Sequence, residues 1–99
     1  FFEDLQERSA YFIEKLEAVV KQFPHLATGV RGKGMLLGLV LTEEGQDHGQ
    51  SIVQAMFKRR MLINFAGMQV LRFIPPLVVS KEEIDILITQ LSEVLAEID

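Results

Sequence analysis

Cysteine is absent from all 99 residues. Its absence removes a disulfide frame, a thiolate nucleophile and any cysteine-ligated zinc site together, and fits a cytoplasmic protein. Basic charge is scarce: ten Lys and Arg against fourteen Asp and Glu leave a net charge of −4. The densest cationic run, Lys58-Arg59-Arg60, is three residues long. Nucleic acid and anionic membrane are therefore not expected as main partners. No apolar run approaches the length of a membrane span, and the opening Phe1-Phe2-Glu3-Asp4 lacks the basic start of a signal peptide. A chain that opens on Phe-Phe without Met reads as cut from something longer. Internal repeats, low-complexity segments and linkers are missing too, so residues 1–99 read as a single domain.

Catalytic signatures are equally thin. His25 and His48 sit in separate connections without H-E-x-x-H spacing, so no metal site is expected. Glu43, Glu44 and Asp47 read as a solvated acidic turn rather than a calcium loop, which needs defined alternating ligands. None of Ser9, Ser51, Ser80 and Ser92 occupies a G-x-S-x-G elbow. Gly32, Gly34 and Gly38 run into a strand with the last spacing one residue too long for a dinucleotide fingerprint. Lys33, flanked by glycines, has nothing around it to desolvate it and lower its pKa. No complete catalytic set exists in these residues.

What is present is strong patterning, with 48% of residues hydrophobic. Apolar residues spaced by three and four (Leu5, Phe12, Ile13, Leu16, Val19, Val20) predict a helix over 2–22, ended by Pro24. Residues 25–30 read as a connection. The continuous run 35–41 predicts a strand covered on both faces, with Met35, Leu37, Leu39 and Leu41 on one side. Gly38 lies on the other side, where a glycine marks another backbone or domain pressing close. A surface loop over 42–49 leads to a helix over 49–60. A hairpin then pairs 62–65 with 70–74 across a four-residue turn, 66–69, and Pro75-Pro76 stops the ladder. Ser80-Lys81-Glu82-Glu83 is a capping box that opens a final helix striped by Ile84, Leu87, Ile88, Leu91, Val94, Leu95 and Ile98. The order α-β-α-β-β-α predicts an α+β two-layer sandwich, with about three mainly antiparallel strands and helices on one face.

In the strand Val70-Leu71-Arg72-Phe73-Ile74, every residue is apolar except Arg72. Alternation puts Val70, Arg72 and Ile74 on one face and Leu71 and Phe73 on the other. A guanidinium between two aliphatic neighbours must reach water, pair with a structural carboxylate, or clamp an incoming anion.

The joint pattern Val30-Arg31-Gly32-Lys33-Gly34-Met35-Leu36-Leu37-Gly38, then Leu62-Ile63-Asn64, then Val70 to Leu77, then Ser80 to Ile84 resembles the C-terminal small domain of class-III, ornithine-type pyridoxal-phosphate aminotransferases. The resemblance spans essentially the whole chain and lies nearest the acetylornithine branch. It implies that Arg72, in R-x-x-P-P, binds the α-carboxylate of an amino-acid substrate. It also implies a parent enzyme that passes an amino group from N-acetylornithine to 2-oxoglutarate in arginine biosynthesis, with ornithine, 4-aminobutyrate and succinylornithine as other donors. The cofactor of that parent is pyridoxal 5′-phosphate, and its assembly a homodimer. In the family the Schiff-base lysine, the aspartate at the pyridine nitrogen and the phosphate loop belong to a large domain that these residues do not include. None of Lys15, Lys21, Lys33, Lys58 or Lys81 has the context of that lysine. The expectation is a chain that by itself holds no catalytic residue and no cofactor. The competing reading is a free-standing regulatory module that binds an amino acid through Arg72 or the Gly32–Gly34 turn.

Overall fold

A computed structural model describes residues 2–33, 36–73 and 80–98, without the side chains of residues 2–5, 33 and 36. The elements are α1 (Phe2–Gln22), β1 (Ala27–Lys33), β2 (Leu36–Leu41), α2 (Glu43–Gln46), α3 (Gly49–Lys58), β3 (Ile63–Ala66), β4 (Val70–Phe73) and α4 (Lys81–Ile98). The strands form one sheet in the order β1-β2-β4-β3, antiparallel at every junction. The α+β sandwich is as expected; the sheet has four strands where the sequence predicts about three.

The extra strand is β1, where a connection is expected over residues 25–30. Its sequence, Ala-Thr-Gly-Val-Arg-Gly-Lys, carries two glycines and one large aliphatic residue, a poor intrinsic strand former. It becomes a strand because β2 offers it a free edge, and the paired register runs from Ala27↔Leu41 to Lys33↔Leu36 with an irregularity between Ala27 and Gly29. The predicted surface loop 42–49 likewise contains a single helical turn, α2. Thr42 caps it: its hydroxyl accepts from the Gly45 amide at 3.0 Å and donates to the His25 carbonyl at 2.6 Å.

The core lies between the helices and one face of the sheet. Leu37, Leu39, Leu41, Leu71 and Phe73 point into it, each 2% exposed or less. They meet Phe12, Leu16 and Val19 of α1, Ile52 and Met56 of α3, and Ile84, Leu91, Val94 and Leu95 of α4. Burying side chains of this size contributes roughly 1.5–3 kcal/mol each before entropy is counted. Phe73 stacks in a tilted arrangement on Phe12, with ring centroids 5.8 Å apart. That contact fastens β4 to α1 and contributes about 1 kcal/mol beyond burial alone.

The capping box forms as the sequence predicts. Ser80 Oγ accepts from the Glu83 amide at 3.1 Å, and the Ser80 amide donates to Glu83 Oε1 at 3.2 Å. Arg59, at the end of α3, reaches Gln90 at 2.6 Å, Glu93 at 2.7 Å and Glu97 at 3.5 Å, tying α3 to α4. Among the described residues, no helix is long and apolar enough to cross a membrane.

Every buried side chain described in the sheet faces the helices. The opposite face carries Arg31, Asn64 and Arg72, all exposed. The expectation that β2 is covered on both faces is therefore not met within the described residues. Its Gly38 and Val40 side has only strand neighbours.

Candidate functional site

Strand alternation fixes where Arg72 points. Its neighbours Leu71 and Phe73 are locked into the core, at 0% and 2% exposure, so Arg72 must project from the helix-free face. Pairing then decides what stands beside it. Arg31 is opposite Gly38, Gly38 is opposite Arg72, and Arg72 is opposite Asn64. Residues directly opposite share a face. One transverse row, Arg31–Gly38–Arg72–Asn64, thus crosses all four strands.

Gly38 shapes this row. A Cβ at that position would lie 2.6 Å from Val70 Cγ1 and 3.3 Å from the Leu71 carbonyl oxygen. The close approach expected at this glycine is therefore real, but it comes from the adjacent strand β4. With no side chain at 38, Val70 packs over the backbone of the row. A concavity of about 570 Å³ opens over it, lined by Arg31, Gly38, Asn64, Gln69 and Arg72 among others.

The electrostatics of this concavity run against those of the chain. The protein carries net charge −4, yet the described lining holds two arginines and no Asp or Glu. Among the described residues neither guanidinium makes a side-chain hydrogen bond or ion pair. Cationic side chains that pair lie elsewhere, among them Arg59 on α4 acids and Lys81 with Glu7 at 3.3 Å. Of the three routes open to the Arg72 guanidinium, exposure to water is available and no acid is paired with it among the described residues. Ile74, Pro75 and Pro76, the rest of the R-x-x-P-P segment, lie outside the described residues.

Sequence reading finds Arg72 but does not place Arg31 or Asn64 beside it. The cause is a single residue of loop length. A four-residue turn over 66–69 would set Asn64 opposite Leu71, on the core side. The loop is instead three residues, with Ala66 paired to Val70 and Asn64 to Arg72. Gly67 and Met68 both take left-handed backbone, at φ 57° and 58°. Two such residues make the tight three-residue return, and the Gly67 that favours it is legible in the sequence. Arg31 has no such signal, because its place depends on the β1–β2 register.

The pyridoxal cofactor implied by the resemblance needs an amine at the floor of a pocket. Lys15 and Lys81 instead lie over the Tyr11 ring, 5.2 and 5.4 Å from its centroid, on the α1–α4 surface. Lys21 and Lys58 are exposed on α1 and α3. None of the described lysine side chains lines the Arg72 concavity, so the described residues do not fit this cofactor. Among them, no cluster of three His, Asp or Glu is placed to hold a metal ion.

Comparison with known proteins gives one consistent answer. The aminotransferase class-III family model matches residues 1–95. The acetylornithine aminotransferase of Methanocaldococcus jannaschii is 44% identical over 92 residues, which is 93% of this chain and 22% of that protein. The acetylornithine aminotransferase of Prochlorococcus marinus is 38% identical, again over 93% of this chain and 22% of its own length. Among solved structures, the N-acetylornithine aminotransferase of Stenotrophomonas maltophilia aligns with a TM-score of 0.84 at 25% identity, covering 97% of this chain and 26% of that one. The ornithine aminotransferase of Plasmodium yoelii shares the fold with a TM-score of 0.85 at 22% identity, covering 98% and 25%. This chain thus spans about a fifth of the curated relatives it matches. Its sequence over 95 residues and its four-stranded, one-sided sandwich agree, and the chain belongs to the class-III aminotransferase family.

Proposed function

We propose that this chain serves as the small C-terminal domain of a larger pyridoxal-phosphate aminotransferase, and that Arg72 holds the α-carboxylate of its substrates. The observation that carries the reading is the exposed guanidinium of Arg72 on a concave face where, among the described residues, it has no acid partner. A planar guanidinium accepts a carboxylate in two parallel hydrogen bonds, and a rigid strand sets the angle at which the substrate is held. β4 supplies that rigidity through Leu71 and Phe73, both anchored in the core. Holding the acid group fixes the remainder of the substrate relative to whatever lies across the cleft, which converts binding into orientation. When bound, pyridoxal phosphate supplies the electron sink of amino transfer. Its lysine and phosphate contacts belong to the large domain of this proposal.

The reaction proposed for the whole enzyme is amino transfer from N-acetylornithine to 2-oxoglutarate, in a cytoplasmic homodimer. The amino-transfer reaction is supported by the name acetylornithine aminotransferase that relatives at 34–44% identity carry. The test is a coupled assay on the complete polypeptide that carries these residues. The expected result is glutamate formation with N-acetylornithine as donor, faster than with ornithine or 4-aminobutyrate. A complete polypeptide that binds amino acids but forms no glutamate with any of the three donors would favour the regulatory module instead.

A further inference from the structure

We infer that the groove between α3 and β3 seats an apolar, acid-flanked stretch of the parent polypeptide from outside these 99 residues. This rests on the reading of the chain as one domain of a larger enzyme, and concerns a surface that Arg72 does not line. The groove has a volume of about 280 Å³ and is walled by Val53, Phe57, Lys58, Met61, Leu62 and Ile63 among others. Phe57 is 65% exposed and Leu62 73%. Single open apolar side chains are ordinary; two in one groove mark a surface made to be covered. β3 ends the sheet, so its outer edge has no neighbouring strand among the described residues.

Charge narrows the choice of occupant. Lys58 and Arg60 are exposed, and neither has an acid partner among the described residues. The described lining holds no Asp or Glu, in a chain of net charge −4. Arg60 is the sharper signal. It follows α3 with φ 65°; its amide donates to the Phe57 carbonyl and the Met61 amide to the Met56 carbonyl, both at 2.9 Å. A helix ending of this kind favours glycine at the left-handed position, where a Cβ is strained. The turn does not need a cation at 60 for the helix dipole, which Lys58 and Arg59 already complement. Cations beside an open apolar groove complement a segment whose apolar residues are flanked by Asp or Glu. A symmetric second copy would instead set these cations against their own counterparts. The aligned region makes up 22% of the curated relatives, so most of such a polypeptide lies outside it and can supply the segment.

The experiment is maleimide labelling of Leu62→Cys in the complete polypeptide, with folded and urea-unfolded rates compared by peptide mass. The folded protein should label at least about tenfold more slowly, as burial behind a docked segment requires. Adding Lys58→Glu and Arg60→Glu should speed labelling of the folded protein about fivefold, the scale of exposed ion pairs. Arg60→Gly suits the left-handed backbone, so a rise in its labelling rate reports the missing cation and not a damaged turn. Carbodiimide coupling should join the Lys58 amine to an Asp or Glu outside these residues. Equal folded and unfolded rates overturn the inference. So does protection that neither charge variant changes, or Lys58 joined to an acid within residues 1–99 of a second copy. Glutamate formation is followed in parallel. Activity with Leu62→Cys unprotected removes the docked segment and leaves the aminotransferase reading standing. Protection without activity towards any donor removes that reading and upholds the docked segment.

Discussion

At position 38 the absence of a side chain does two things at once. It lets β2 and β4 lie together, and it gives Val70 room to pack over the backbone of the row that carries Arg31 and Arg72. Placing alanine there puts a methyl group 2.6 Å from Val70 Cγ1, and a β-branched valine has few rotamers into which it can retreat. Gly38→Ala should therefore destabilise the fold by about 1–3 kcal/mol, the range for overpacking a fitted site. Urea unfolding checks the value. Arg72 itself is the most legible residue of the site: one charge in an apolar strand, with its face fixed by strand parity. Arg31 is not legible, since the pairing that brings it near joins residues seven apart across a register that no local rule sets.

Elements were readable in proportion to how strongly their own residues specify them. α1 and α4 announce themselves by a stripe of apolar residues at helical spacing, and α4 also by its capping box. Ser80→Ala removes the acceptor for the Glu83 amide and should cost about 1 kcal/mol of stability, seen as a lowered thermal midpoint. β1 was not readable, because its strand character comes from the edge it docks on and not from its glycine-rich residues. The same limit hid α2, a single turn that exists because Thr42 caps it. The two long helices are joined by Tyr11, whose phenol donates to Asp85. That hydrogen bond is the largest cause raising the phenol above its ordinary pKa near 10, with desolvation and the charges of Asp85 and Glu14 adding to it. A raised pKa in the folded state means stability that is present below the unfolded value and lost as pH rises through the folded one. Tyr11→Phe should therefore be slightly less stable than the parent at neutral pH, and the gap should close above about pH 10. Thermal melts of both proteins across that range measure it.

Over the whole molecule, charge and burial are divided between the two faces of one sheet. Helices take the apolar face, and acids dominate the chain, yet the free face is cationic and concave. The layering was legible from the order of elements and the one-sided apolar pattern of the strands. The open state of the second face was not, because the apolar run of β2 suggests burial on both sides. Val40 and Gly38 satisfy that pattern simply by lying in the middle of a sheet. Association with small anions at this face should weaken as salt rises, since the site is exposed and screening sets in over about 10 Å at 0.1 M. The most direct measurement is steady-state kinetics of Arg72→Lys in the complete aminotransferase proposed to carry this chain. Lysine keeps the charge but loses the two-pronged geometry, so KM for the amino donor and for the oxo acid should both rise, about tenfold or more. The cofactor's absorption spectrum should stay as in the parent. Unchanged KM values for both substrates would show that the guanidinium of Arg72 holds neither of them.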